Sequence, residues 1–170
     1  MKPAEPKYKC FIICTAPRSG STMLCKMLKN TAVAGNPDSY FHRPSTDNWL
    51  DVFGLGGKFF SSESEKLRAI FAAAQSQGDA DTGIFGLRMQ RGSAEYFLKQ
   101  LTLLHPKVQS DENRINATFG QTLFIHLSRQ NKLEQAVSLL KAEQSGLWHK
   151  SSDGRVLEQI KATQLSLIHI

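Results

Sequence analysis

CFIICTAPRSGSTMLCKMLKN, residues Cys10 to Asn30, passes from an apolar run through a tight turn into a helix. Phe11 to Cys14 form the run, with Tyr8 and Lys9 before it and Ala16-Pro17 after it. That is the signature of a strand buried inside a parallel sheet. Pro17, Ser19 and Gly20 supply turn chemistry, and Ser21-Thr22 stand where a helix starts, followed by Met23, Leu24, Met27 and Leu28 at helical spacing. The first turn of such a helix leaves backbone N–H groups unpaired at the positive end of the macrodipole, so it suits a phosphate or sulfate. Arg18 and the hydroxyls of Ser19, Ser21 and Thr22 add a charge and further donors. The stretch therefore reads as an anion cradle.

The cradle departs from the nucleotide-binding form G-x-x-x-x-G-K-[ST], because the first glycine is missing and no lysine precedes Ser21. An arginine inside the loop faces the anion instead. An S-G-S-T turn ahead of a capped helix is also an ordinary way to start a helix, so the rest of the chain has to discriminate.

Working outward, 170 residues are enough for one α/β core, and 41% hydrophobic with 21% charged residues is an ordinary globular composition. The net charge of +6 fits a polyanionic ligand, a nucleic acid or an anionic surface equally well. The basic residues are scattered, without the basic-aromatic stripe of a nucleic-acid binder, so no nucleic-acid partner is expected. Cys10, Cys14 and Cys25 show no CxxC spacing and read as reduced core thiols. The start MKPAEPKYK is no signal peptide and no segment approaches a membrane span, which predicts a cytoplasmic protein without an anchor.

Beyond the first helix, TAVAGNPDSYFHRP (residues 31–44) reads as a loop through Gly35, Asn36, Pro37 and Pro44. It gathers Asp38, Ser39, Tyr40, His42 and Arg43, groups able to hold or deprotonate a hydroxyl substrate, although loops are also simply polar. Trp49, Leu50, Val52 and Phe53 suggest a short helix ended by glycines. Glu63 to Gln77 form an amphipathic helix with Leu67, Ile70, Phe71 and Ala74 on one face, closed by Gly78. GIFGLRM (83–89) reads as a second strand ending in Arg88, and Ser93 to Leu104 as another helix. KVQSDENRINATFG (107–120) is too polar for an assignment. TLFIHL (122–127) reads as a third buried strand, followed by Ser128-Arg129 and by a helix over Lys132 to Gln144 whose Leu133, Val137 and Leu140 are expected to pack on the sheet. This alternation predicts an α/β fold, a P-loop-like three-layer α/β/α arrangement with a mostly parallel sheet and its ligand at the carboxyl ends of the strands. Arg129 then shares a rim with Arg18, and Ser138 joins them only if its helix lies alongside. No aspartate ends the third strand as a magnesium site of the nucleotide hydrolases requires, so no metal ligand is expected.

Three blocks carry a family resemblance: APRSGST with its helix, the AGNPDSYFHRP loop, and LFIHLSRQNKLEQAVSLLKAEQSGLW ending at Trp148. Together they resemble the bacterial sulfotransferases similar to trehalose 2-sulfotransferase, which use 3′-phosphoadenosine 5′-phosphosulfate (PAPS). The resemblance runs from about Tyr8 to His149, in a single domain spanning 1–170 whose segment 150–170 it leaves unassigned. Family members continue with segments that this sequence does not match, so the sheet is expected to be incomplete at the C-terminus. The resemblance implies that Arg18, Ser19, Gly20, Ser21 and Thr22 hold the 5′-phosphosulfate, with Arg18 also serving catalysis, and that Arg129 and Ser138 bind the 3′-phosphate. It assigns the loop after Gly35 to the acceptor. A relative has its catalytic glutamate at the position of Ser39, so the general base falls to the neighbouring Asp38 or to His42, and Arg88 stands where a lysine is frequent.

The expected activity is transfer of a sulfonate group from PAPS to a hydroxyl of a carbohydrate or glycolipid acceptor, without a metal, in a chain that the family also allows to be a homodimer. The alternative is a catalytically inactive module that binds the bisphosphorylated nucleotide.

Overall fold

The computed structural model describes residues 6–150 and 156–159. The chain divides into two compact units, the first comprising Met1–Ala16 with Gly20–Leu127 and the second Pro17–Ser19 with Ser128–Ile170.

The first unit runs β1 (Cys10–Thr15), α1 (Ser21–Asn30), α2 (Thr46–Val52), α3 (Glu63–Asp79), β2 (Phe85–Gln90), α4 (Arg91–Leu104), α5 (Asp111–Phe119) and β3 (Thr122–Leu127). Its sheet has the order β2-β1-β3, and both pairings are parallel. Cys10 lies opposite Phe85 and Thr122, and Thr15 opposite Gln90 and Leu127, so the three strands finish together at one carboxyl rim.

Side chains of β1 alternate between two cores, as strand geometry requires. Phe11 and Ile13 pack with Cys25, Leu24 and Leu28 of α1, whereas Cys10 and Ile12 join a larger core with Leu67, Ile70 and Phe71 of α3, Phe97 and Leu101 of α4, and Phe119 of α5. Helices thus cover both faces, giving the expected α/β/α layering. The larger core is rich in aromatic rings: Phe41 meets Trp49 edge-on at 4.9 Å, and Phe85 stacks on Phe119 at 4.9 Å. Each of these side chains is at most 1% exposed, and burial of one contributes ~1.5–3 kcal/mol.

Three local expectations are corrected. Gly78 does not close α3, which continues to Asp79 and ends at a left-handed Ala80. Gly78 is a glycine because of packing, since a Cβ there would stand 2.5 Å from the Phe85 ring and 3.0 Å from that of Tyr40. The polar segment 107–120 contains a helix, α5, started by Ser110, whose hydroxyl accepts from the Asn113 N–H at 3.1 Å, and held inward by Ile115 and Phe119. Finally, β3 forms as expected but is not fully buried: it is an edge strand of this sheet, and Leu123 and Phe124 are 40% and 43% exposed.

The second unit contains α6 (Lys132–Ser145) and an antiparallel pair, β4 (Leu147–Lys150) and β5 (Val156–Gln159). Asn131 caps α6 by accepting from the Glu134 N–H at 3.0 Å, and a left-handed Gly146 ends it. The expected buried stripe of α6 is largely exposed: Leu133, Val137 and Leu140 are 75%, 41% and 49% accessible, and Ala142 is its buried residue. Within its unit α6 packs against β4, which begins just beyond its C-terminal end. The pair β4–β5 reaches past the segment that the resemblance covers, and the terminal LSLIHI lies outside the described residues.

Candidate active site

In the first unit the turn after β1 arrives at α1 through Gly20, whose φ of 88° is left-handed. A Cβ at Gly20 would meet no atom within 4 Å, so the backbone angle and not lack of space asks for glycine. No side chain caps α1, and its first turn contains no acidic residue. By contrast α2, α3, α5 and α6 each have a serine or asparagine cap. Ser21 is buried and Thr22 half-buried in this first turn. Among the described residues this helix start combines the positive end of the dipole with two hydroxyls, features that would suit a negative group.

The loop before α2 is held from below. Gly35 has φ 65°, and a Cβ on it would stand 2.3 Å from the Ile84 carbonyl oxygen and 2.4 Å from that of Gly78. The Asn36 N–H donates to Gly78 O at 2.7 Å, and the Tyr40 hydroxyl donates to Asn36 O at 2.5 Å. Tyr40 and Phe41 are sunk in the aromatic core. Burial, then the nearby Asp38 carboxylate, pushes the Tyr40 phenol above its ordinary range.

Between these anchors the chain extends beside β2, where Asp38 bridges to Leu87 and Asp38 O accepts from the Arg88 N–H at 2.9 Å. Asp38 therefore lies beside the middle of β2 with its carboxylate 67% exposed. Arg88, with a side chain only 12% exposed, reaches three groups. Its Nη1 donates to Thr22 Oγ1 at 2.5 Å, its Nε donates to Ser39 Oγ at 2.7 Å, and its Nη2 lies 3.7 Å from Asp38 Oδ1. His42 is exposed, and among the described residues this network includes Asp38 and not the His42 ring.

In the second unit Arg18 has φ 61°, a left-handed angle that costs a non-glycine residue ~1 kcal/mol. Three bonds fix the segment. Arg18 Nε donates to Ser138 Oγ at 2.9 Å, its Nη1 donates to Trp148 O at 2.5 Å, and Gln135 Nε2 donates to Pro17 O at 2.8 Å. Arg18 and Ser138 line a cleft of about 860 Å³ together with Arg129, Glu134, Lys141 and Trp148. Among the described residues its walls carry three cations, Arg18, Arg129 and Lys141, against one carboxylate. That carboxylate, Glu134, pairs with Arg129 at 2.6 Å.

A family model, Stf0 sulphotransferase, matches residues 10–170. The chain belongs to this family. No curated protein matches it. Membership makes the chain a sulfotransferase in the general sense and implies an acceptor and a sulfonate donor.

For this Stf0-family chain the expected site residues fall into two groups. Arg18, Arg129 and Ser138 line one cleft, and Ser138 is a direct partner of Arg18, which the serine's position two turns into α6 left open. Thr22 and Asp38 share Arg88 as a partner. Arg88 and Glu134 were not among the expected site residues. The signal for Arg88 was its place near the end of GIFGLRM, although β2 continues beyond it to Gln90, and the signal for Glu134 was its spacing of five from Arg129. The cysteines are free thiols, Cys10 and Cys25 buried and Cys14 half-buried. Burial pushes Cys10 up to about 12 and raises Cys14 and Cys25, so none is an activated thiolate. Among the described residues no helix is long and apolar enough to cross a membrane.

Proposed function

We propose that this chain transfers the sulfonate group of PAPS to a hydroxyl of a carbohydrate or glycolipid. The observation that carries the reading is the start of α1, uncapped and free of acidic residues, with Ser21 and Thr22 in its first turn. In this reading Arg18, Ser19, Gly20, Ser21 and Thr22 bind the 5′-phosphosulfate, and Arg129 and Ser138 bind the 3′-phosphate. The cationic lining of the cleft around Arg129 and Ser138 supports that second assignment.

In the transfer the acceptor oxygen forms a bond to sulfur while the bond from sulfur to the bridging phosphate oxygen breaks, leaving 3′-phosphoadenosine 5′-phosphate (PAP). Negative charge grows on that bridging oxygen, and the N–H groups of the helix start with Arg18 stabilise it. Asp38 takes the acceptor's proton as general base, with His42 the other candidate. The exposure of the Asp38 carboxylate supports access by a hydroxyl substrate.

Calorimetry of the full chain with PAP and, separately, with 5′-AMP tests the donor site. Preference for PAP by ~100-fold, about 2.7 kcal/mol, is the expected result, and equal affinity for both removes the 3′-phosphate assignment. Radiolabelled PAPS offered with a panel of sugars and glycolipids then separates the enzyme from a module that only binds: tight PAP binding without transfer to any acceptor selects the latter.

A further inference from the structure

Arg88 is placed between the two segments to which the proposed reaction assigns opposite substrates. Its guanidinium touches Thr22 in the first turn of α1 and Ser39 and Asp38 in the loop beside β2, residues far apart in the chain. A planar fork of donors spans such a set, whereas an ammonium presents its three donors from a single nitrogen.

The direction of these hydrogen bonds matters. A hydroxyl has one proton to donate and two lone pairs to accept with. Thr22 Oγ1 and Ser39 Oγ both accept from Arg88, which uses a lone pair and leaves each O–H directed elsewhere. Among the described residues neither O–H has an acceptor in the protein. Ser39 is held a second time, because its backbone N–H donates to Asp38 Oδ1 at 2.7 Å, the carboxylate oxygen nearest Arg88 Nη2.

We propose that Arg88 is a positioning residue that converts the Thr22 hydroxyl into a dedicated donor for the anion at the start of α1 and, through Ser39 and Asp38, holds the acceptor loop in register with it. The inference rests on the reading of that helix start as the donor's anion site. Arg88 need not touch the donor: it acts through Thr22, Ser39 and Asp38.

The test is a double-mutant cycle on PAP affinity, using Thr22→Val, Arg88→Met and their combination, with Arg88→Lys replacing Arg88→Met if the methionine variant does not fold. Each single change is expected to weaken PAP about tenfold, the worth of one hydrogen bond to a charged group, and the double variant to be no weaker than the worse single one. Losses that multiply to about a hundredfold overturn the inference, because Thr22 then binds without help from Arg88. A second readout needs no ligand. Amide hydrogen exchange at Ser39 is expected to speed up about tenfold in the Arg88 variant while exchange in the core strand β1 stays unchanged. An unchanged Ser39 amide overturns the inference. If the unaltered chain binds no PAP, the donor reading fails by itself, and the Ser39 amide still decides whether Arg88 holds the loop.

Discussion

Arg18 Nε donates to Ser138 Oγ at 2.9 Å between residues 120 positions apart, a bond that fixes the guanidinium of a residue whose own backbone is left-handed. Ser138→Ala removes the acceptor and leaves Arg18 with the Trp148 carbonyl. PAP affinity is expected to fall about tenfold, with its dependence on salt unchanged because serine carries no charge. Calorimetry at two ionic strengths reads both effects.

Two glycines with similar backbone angles predict different outcomes. Gly35→Ala must fit a methyl against two carbonyl oxygens at 2.3 Å and 2.4 Å, neither of which belongs to a movable side chain. Gly57, at φ 76°, has open space around the position of a Cβ. Gly57→Ala is expected to cost about 1 kcal/mol, the left-handed penalty alone, whereas Gly35→Ala costs at least ~3 kcal/mol or prevents folding. Urea titrations of the two variants give the comparison.

Stability should decline in alkali. Burial raises Cys10 to about 12 from a model-thiol value of 9.0, and raises Cys14, Cys25 and Tyr40 as well. In the unfolded chain the thiols ionise near 9 while the folded chain still holds their protons, so the folded state binds more protons and stability falls as pH rises. The stabilising difference is fully present below pH 9 and for Cys10 is lost progressively up to about 12, at up to ~1.4 kcal/mol per pH unit for each group. Cys10→Ala is expected to flatten that decline. A melting temperature independent of pH between 8.5 and about 10.5 contradicts the assignment.

The proposed base is separable from binding. Asp38→Asn is expected to lower the transfer rate at least ~100-fold with PAP affinity kept within about threefold, while His42→Ala, outside the Arg88 network, changes turnover by less than about fivefold. Single-turnover transfer from radiolabelled PAPS measures both. The reverse pattern moves the base to His42.

The elements that the sequence displayed most clearly are those whose apolar runs end in turn residues. β1, α1 and β3 stand where CFIIC, STMLCKMLKN and TLFIHL place them. What strand composition does not carry is a strand's rank in the sheet, so TLFIHL read as buried although it forms an edge with Leu123 and Phe124 exposed. The stripe Leu133, Val137, Leu140 misled in the same way: spacing marks a face, and only the neighbouring element decides whether the face is covered. α5 was hidden because two inward residues, Ile115 and Phe119, suffice for so short a helix among polar ones. In the site, the turn before α1 and the loop through Asp38 were legible as a turn and a loop. The role of Arg88 was not, since its partners Thr22 and Ser39 come together only when β2 is laid beside the loop.

The central position of β1 has a consequence for how the chain is made. It is made before either of its neighbours: Cys10 pairs with Phe85 and with Thr122, and Thr15 bonds to Leu127 across 112 positions. Non-local parallel pairing of this kind forms only after long loops have closed. The run CFIIC therefore waits without its full set of partners until β3 has been made, an apolar segment of the sort that aggregates or recruits a chaperone. Yield of soluble chain is accordingly governed by β1 and β3 together, and slowing translation before β3 prolongs the interval in which β1 is bare.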